Sequence, residues 1–257
     1  DDRSFNQGSW EGLKKYAEEK GITHKYYQPT EKTTDAYIDS IDLAIAAGAK
    51  IVVTPGFLFE PAIYKAQDIH PEVNFVLLDG SPQDGNYQDF RIEKNVYSVF
   101  YAEEEAGFLA GYGAVKEGYT NLGFMGGMAV PAVVKFGYGF VQGVNYAAKE
   151  LGIRNVKVDY NYLGGFNPSP EIQTKAASWY RNGVQVIFVA GGGAGNSVMS
   201  AAEQNKGYVV GVDVDQSVES PTVITSAMKM IGESVYNAID EFYKDNFPGG
   251  KISVLDA

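Results

Sequence analysis

The chain has 257 residues, of which 45% are apolar and 21% charged, so it is long enough for two folded domains and too apolar for disorder. Its formal net charge of -11 repels polyanions, which argues against nucleic acid as a partner. It has no cysteine and only two histidines, which excludes disulfides, thiolate zinc sites and a thiol nucleophile. We therefore expect neither a metal nor a cofactor.

In the first half of the chain, apolar runs bounded by turn residues alternate with stretches of helical period. This alternation is typical of α/β domains with parallel sheets. The sequence there predicts helices at 8–20, 33–47 and 60–69, and strands or extended segments at 23–29, 49–56, 73–80 and 95–101.

A second array of the same kind follows without a Pro- or Ser-rich linker. It predicts helices at 102–118, 133–151, 170–182 and 195–205, strands at 121–127, 156–165, 184–192, 208–215 and 222–229, a helix at 231–245 and an extended end at 247–257. Two Rossmann-like lobes joined by a multi-strand hinge are the predicted fold, and such a hinge favours closure of rigid lobes. The predicted N-terminal lobe is 1–100 plus 229–247, and the C-terminal lobe is 101–228 plus 248–257.

The start of the chain is unusual for this fold. It runs through a short loop into a helix, whereas a doubly wound lobe opens with a strand that is central in the order 2-1-3-4-5. We therefore expect the first strand, and any signal peptide before it, to be missing from this chain. No apolar run approaches the roughly 18 to 20 residues of a membrane helix.

Ligands of doubly wound sheets bind beyond the carboxyl ends of the strands. The residues expected there include two rings, isolated carboxylates and an amide, namely Phe5, Phe166, Asp79, Asp213, Asp215 and Asn6. Carboxylates accept hydrogen bonds from sugar hydroxyls, and aromatic rings stack on both faces of an aromatic base. This set therefore suits a hydroxyl-rich ligand that carries a base. The alternatives are that the aspartates cap helices and that the rings pack in the core.

Motifs for phosphate binding and catalysis are not met. The glycine-rich segment 191–196 departs from both the dinucleotide and the P-loop patterns, so we interpret it as a turn that lets backbone approach an uncharged ligand. GxSxG is absent, and the two histidines, His24 in an extended segment and His70 after a helix, lie away from the strand ends. The acidic run 103–105 opens a helix, where it complements the helix dipole. The sequence therefore predicts that the protein is not an enzyme.

Segments along nearly the whole chain resemble one known family. They are DDRSFNQGSWEGL, VVTPGF, FVLLDG, NVYSVFYAEEEAGFLAGY, GFMGG with FGYGFVQGV, IFVAGGGAGN, GVDVDQS and TSAMK. Together they are similar to the basic membrane protein (Bmp/Med) family of ABC-transporter substrate-binding lipoproteins, whose characterised members include purine nucleoside receptors. The resemblance implies a type I periplasmic-binding-protein fold and no enzymatic activity.

The resemblance also implies how the protein works and where. We expect a monomeric receptor on the extracytoplasmic face of the cell membrane, anchored by a lipidated N-terminal cysteine that this chain lacks. It would bind guanosine, inosine or adenosine in the cleft between its lobes and deliver the nucleoside to an ABC permease.

The family's binding residues carry over to particular positions of this chain. Phe5 matches a ring that stacks on the purine and Phe166 the opposing ring. Asn6 and Asp79 match polar residues that reach the base, and Gly192 lies in the turn that lines the pocket. Asp213 and Lys229 match the pair that holds the ribose hydroxyls.

Two alternatives remain open at this point. One is a sugar or autoinducer receptor of the same fold. The other is the ligand-sensing domain of a regulator, although the chain contains no recognisable DNA-binding segment.

Overall fold

Helices and strands alternate along the chain as the sequence predicts. The computed structural model describes residues 2–256. Its α-helices are α1 (Phe5–Lys20), α2 (Thr34–Ala46), α3 (Glu60–Ile69), α4 (Glu103–Lys116), α5 (Pro131–Leu151), α6 (Pro170–Arg181), α7 (Ala194–Asn205) and α8 (Ile231–Tyr243). Its strands are β1 (Ile51–Pro55), β2 (Asn74–Leu78), β3 (Val96–Tyr101), β4 (Asn121–Gly126), β5 (Lys157–Tyr162), β6 (Val186–Ala190), β7 (Tyr208–Asp213), β8 (Val223–Met228) and β9 (Lys251–Leu255).

The chain divides into two units, each built on its own parallel sheet. The four-stranded unit comprises Gly8–Tyr101 and Ile231–Leu255. The five-stranded unit comprises Ala102–Met230 together with residues 2–7 and 256. The predicted α/β class with two parallel-sheet lobes is confirmed.

In the four-stranded unit the strand order is β1-β2-β3-β9, with every pair parallel. Strand β2 is central and buried along most of its length, as expected of an apolar strand in a parallel sheet. Phe75 and Leu77 of β2 pack with Ile63 of α3 and with Tyr37 and Ile41 of α2. These contacts form the core of this unit.

The unit boundaries differ from the predicted lobes at the ends of the chain. The sequence predicts that 248–257 belong to the C-terminal lobe, but β9 pairs with β3 from Tyr97↔Lys251 to Tyr101↔Leu255. Conversely, the residues before Gly8, and Lys229 itself, belong to the five-stranded unit. Contacts between distant segments, rather than order along the chain, decide these memberships: β9 by strand pairing, and the N-terminal segment by polar side-chain contacts.

A second difference concerns the segment that contains His24. Residues 22–29 are irregular in the structure rather than a strand. The ring nitrogen Nδ1 of His24 lies 3.3 Å from the carbonyl oxygen of Ile22. The extended segment predicted at 23–29 therefore does not pair as a strand in either sheet.

In the five-stranded unit the order is β5-β4-β6-β7-β8, all parallel, which is the doubly wound order 2-1-3-4-5. The chain order reverses between β4 and β6, which pair from Leu122↔Val186 to Gly126↔Ala190. The ring of Phe188 on β6 packs against Phe124, Phe136 and Phe140 and forms the centre of the core. Ligands of this fold bind where the strand order reverses.

Helices α4 and α5 of this unit approach each other very closely. A Cβ at Gly107 or Gly111 would overlap the backbone of α5, and a Cβ at Gly139 or Gly143 would overlap the backbone of α4. The glycines therefore allow the two helix backbones to touch. Within residues 2–256, no helix is both long enough and apolar enough to cross a membrane.

Candidate functional site

Phe166 and Gly192 meet where the strand order of the five-stranded sheet reverses. The carbonyl oxygen of Phe166 accepts from the amide of Ala194 at 2.9 Å, which ties the loop after β5 to the turn after β6. Its ring lies against Gly127, where a side chain would overlap it. Gly192 has φ 54°, a left-handed conformation that favours glycine. Gly127, just after β4, thus leaves the space in which the Phe166 ring lies, and Gly192 lies beside it.

The core-packing alternative for Phe166 is partly supported. The side chain is half-buried and packs against the core cluster that contains Phe136 and Phe188. The ring is therefore held by the core while part of its surface stays accessible.

Asp213 ends β7 and is buried. Its φ of 68° lies in the left-handed region, which is uncommon for a residue other than glycine and costs backbone energy. Its Oδ2 accepts from the hydroxyl of Ser4. A turn rather than a helix follows it, so Asp213 is not a helix cap. Burial raises the pKa of Asp213, while Lys229 and the Ser4 hydroxyl act in the opposite direction.

Lys229 lies at the end of β8, beside Asp213. Its amide donates to the carbonyl oxygen of Asp213 at 2.9 Å, and its Nζ lies 4.0 Å from Oδ1 of the same residue. A second carboxylate is nearer, because Oε1 of Glu103 is 3.0 Å from Nζ. The Lys229 and Glu103 side chains are only 3% and 2% exposed. Nζ also lies 4.9 Å from the centre of the Phe5 ring and 5.4 Å from that of Phe136.

The segment that carries Phe5 is fastened to the five-stranded unit by polar contacts. The Gln216 side chain donates to the carbonyl oxygen of Arg3 at 2.9 Å, and Arg3 pairs with Glu219 at 2.7 Å. The carboxylate of Asp2 accepts from the amides of Ser4, Asn6 and Gln7 and so caps the start of α1. These bonds place the Phe5 ring above Lys229 and leave Asn6 exposed.

Asp79 belongs to the four-stranded unit, where it follows β2. It too has a left-handed φ, 52°, and its amide donates to the carbonyl oxygen of Val99 at 2.8 Å. The loop after it is held by Glu60, whose carboxylate accepts from the Ser81 amide at 3.0 Å and from Gln83 Nε2 at 3.2 Å. Burial raises the pKa of Glu60. As at Asp213, no helix follows directly, so the capping alternative does not apply to Asp79.

Six of the seven residues that match the family's binding positions lie in the five-stranded unit: Phe5, Asn6, Phe166, Gly192, Asp213 and Lys229. Phe5, Asp213 and Lys229 form one contacting group, and Phe166 and Gly192 form another. Asp79 lies in the other unit. Asp215 is exposed and accepts from the Ser217 amide at 2.9 Å, so it shapes the turn after β7.

Sequence reasoning missed Ser4, Gln216 and Glu103. The helix-dipole interpretation of the acidic run 103–105 is incomplete, because Glu103 is buried against Lys229. Ser4 could have been noticed from its position next to Phe5, whereas Glu103 carries no local signal that separates it from Glu104. In the part of the chain that the structure describes, no three His, Cys, Asp or Glu side chains are grouped to hold a metal ion.

Comparison with known proteins identifies relatives over the whole chain. A sequence model of the Bmp family, described as ABC transporter substrate-binding protein PnrA-like, matches residues 1–257. The ABC transporter nucleoside-binding protein BmpA of Lactococcus lactis subsp. cremoris is 32% identical over 274 residues, covering 98% of this chain and 74% of that protein. Basic membrane protein B of Borreliella burgdorferi is 31% identical over 261 residues, covering 98% of this chain and 74% of that protein.

One solved structure is similar to this chain over nearly its whole length. An ABC transporter solute-binding protein from Aeropyrum pernix K1 superposes with a TM-score of 0.82 at 26% sequence identity. The superposition covers 99% of this chain and 70% of that one.

Proposed function

The chain belongs to the Bmp family of ABC transporter substrate-binding proteins, and from this premise we propose that it binds a purine nucleoside. Its fold is that of type I periplasmic binding proteins. Family members are substrate-binding proteins rather than enzymes, and they serve a permease on the extracytoplasmic side of the membrane. The nucleoside, the lipid anchor and a monomeric state are part of the proposal.

The observation that carries the proposal is the group formed by Asp213, Lys229 and the Phe5 ring. Oδ2 of Asp213 is engaged by Ser4, so Oδ1, which faces Lys229, is the oxygen available to a ligand. One ribose hydroxyl donates to Oδ1 while its neighbour accepts from Nζ of Lys229. Such charge-assisted hydrogen bonds are about twice as strong as neutral ones.

The energetic cost of this arrangement also favours a role in binding. Burying an acid and a base is expensive and is often no better for stability than an apolar pair. Asp213 additionally adopts a left-handed backbone conformation. Unfavourable groups of this kind cluster at binding sites, where the ligand provides the missing interactions.

The aromatic rings favour a nucleoside over a free sugar, because a free sugar has no base to stack on them. Stacking of a base on an aromatic side chain contributes about 1–3 kcal/mol. We propose that Phe5 and Phe166 stack on the purine and that Gly192 lines the pocket beside Phe166. Asn6 and Asp79 remain proposed contacts to the polar edge of the base. The BmpA relative is described as nucleoside-binding, which supports this choice of ligand.

Calorimetric titration with guanosine, inosine, adenosine, cytidine and ribose tests the proposal. We expect the purine nucleosides to bind and ribose to bind far more weakly, because ribose cannot use the rings. The 2′- and 3′-deoxy forms of the best ligand should each lose about 1–3 kcal/mol, since a buried partner is left unpaired. Tight ribose binding without nucleoside binding would show that the protein is a sugar receptor.

A matched pair of variants connects the result to the site. Asp213→Asn removes the buried charge that is proposed to grip the ribose and should abolish most of the affinity. Asp215→Asn alters an exposed carboxylate two residues away and should leave affinity unchanged. Equal affinities in the two variants would refute the role given to Asp213.

A further inference from the structure

We propose that Glu103 is a positioning residue for Lys229: it holds the buried ammonium in place and thereby keeps Asp213 available to the ligand. This inference rests on the proposed function, in which Lys229 and Asp213 bind the ribose hydroxyls. Glu103 itself is not expected to touch the ligand.

Both oxygens of the Glu103 carboxylate face lysines. Oε1 is 3.0 Å from Nζ of Lys229, and Oε2 is 3.4 Å from Nζ of Lys135 on α5. The Lys229 and Glu103 side chains are almost completely buried, whereas Lys135 is 38% exposed. Glu103 thus bridges the end of β8 to α5 from the first turn of α4.

The distances show which carboxylate balances the charge of Lys229. A buried ammonium keeps its proton only when an opposite charge is close to it. Glu103 provides that charge at 3.0 Å, while Asp213 lies 4.0 Å away. Because Glu103 is the nearer partner, Oδ1 of Asp213 is not committed to a short ion pair. A ligand hydroxyl can then bind it without first breaking one.

The neighbouring Glu104 offers a matched comparison. Both residues lie in the first turn of α4, so both complement its helix dipole to a similar extent. Glu104 is 45% exposed and lies 3.9 Å from Lys135. If Glu103 served only to stabilise the helix, replacing either residue would have the same effect.

The first test compares nucleoside affinity in wild type, Glu103→Gln and Glu104→Gln. Hydrogen bonds to charged groups contribute about 1.5–3 kcal/mol, so we expect Glu103→Gln to bind roughly 10-fold to 100-fold more weakly. Glu104→Gln should stay within about 2-fold of wild type, because the Glu104 side chain is 45% exposed and its contact at 3.9 Å is with Lys135 rather than with Lys229. Equal affinities in the two variants would overturn the positioning role.

A second measurement needs no ligand. The charged groups that face Asp213 are Lys229 after β8, Asp2 from the N-terminal segment and Glu103 from α4, with Lys135 of α5 beyond Glu103. Removing the negative charge of Glu103 favours ionisation of Asp213 and frees Lys229 to approach it, so the pKa of Asp213 should fall in Glu103→Gln. Carbon-13 NMR of the Asp213 carboxyl group measures this, and Glu104→Gln should leave it unchanged.

The variant Glu103→Asp keeps the inference testable if Glu103→Gln does not fold. It keeps the charge on a shorter side chain, so affinity should be intermediate and the pKa of Asp213 should stay nearer to that of wild type. An unchanged Asp213 titration in both Glu103 variants would refute the inference. Wild-type protein that binds no nucleoside would instead refute the proposed function, while a shifted Asp213 titration would still support the contact between Glu103 and Lys229.

Discussion

Replacing Lys229 with Met tests whether buried charge holds the proposed site together. The side chain of Met is apolar and of similar length, so the change removes the ammonium and keeps much of the packing. It takes from Asp213 the ammonium that lies 4.0 Å away, and from Glu103 the nearer of the two lysines that it contacts. We expect the five-stranded unit to lose stability.

The size of the loss follows from the distances. At an effective dielectric constant of about 20, opposite charges attract by about 5.5 kcal/mol at the 3.0 Å of Lys229–Glu103 and by about 4 kcal/mol at the 4.0 Å of Lys229–Asp213. The cost of removing the ammonium from water offsets part of this attraction. Breaking a buried pair by removing one partner typically costs about 3–5 kcal/mol, which is the loss we expect.

Urea unfolding measures this loss, with tryptophan fluorescence as the signal. The chain has two tryptophans, and Trp179 lies on α6 of the five-stranded unit while Trp10 lies in the other unit. A Trp10→Phe background therefore makes the fluorescence report on the five-stranded unit. Lys135→Met is the control: its pairs with Glu103 and Glu104 are partly exposed, so it should cost less than about 1 kcal/mol.

The pH dependence of the same variant gives a second check. Without Lys229, Asp213 loses the cation that lowers its pKa, so this pKa rises further above the ordinary value. The folded state then holds a proton that the unfolded state releases, and stability must increase as pH falls between the raised folded pKa and the unfolded one. The reasoning would be refuted by a Lys229→Met variant whose free energy of unfolding equals that of wild type at neutral pH and does not increase on acidification.

Three further predictions concern binding and packing. Phe166→Ala should weaken nucleoside binding by about 1–3 kcal/mol and leave ribose binding unchanged in calorimetry; a loss shared by ribose would contradict stacking on the base. Gly139→Ala places a methyl group against the backbone of Glu104 and should destabilise the fold by about 1–3 kcal/mol in urea unfolding, whereas Gly113→Ala, with open space around it, should be neutral or stabilising. Nucleoside affinity should fall on acidification at a higher pH than for an ordinary aspartate, because burial raises the pKa of Asp213; an affinity that does not change with pH would contradict a charged Asp213.

Much of the fold was predictable because the relevant signals are local. Strand β6 consists of buried apolar residues throughout, as a central parallel strand should, and α5 ends at Gly152 in the left-handed conformation. The rule that ligands bind at strand ends drew attention to Asp79 and Asp213. Both proved to have a left-handed φ, which sequence alone does not reveal.

The errors arise where distant segments decide the outcome. The sequence of β9 indicates a strand but not its partner, and pairing with β3 placed it in the unit opposite to the one predicted. Glu103 and Glu104 are both glutamates in the first turn of α4, yet only Glu103 is buried. It packs against Lys229, which is distant in the sequence. Local patterns cannot carry information of this kind.

A crystal structure of the complex with the tightest-binding purine nucleoside tests the central claim most directly. We predict ribose hydroxyls within hydrogen-bond distance of Asp213 Oδ1 and Lys229 Nζ, the base against Phe166, and Glu103 still bonded to Lys229. A nucleoside bound away from Asp213 and Lys229, or one whose ribose points away from both, would contradict the account.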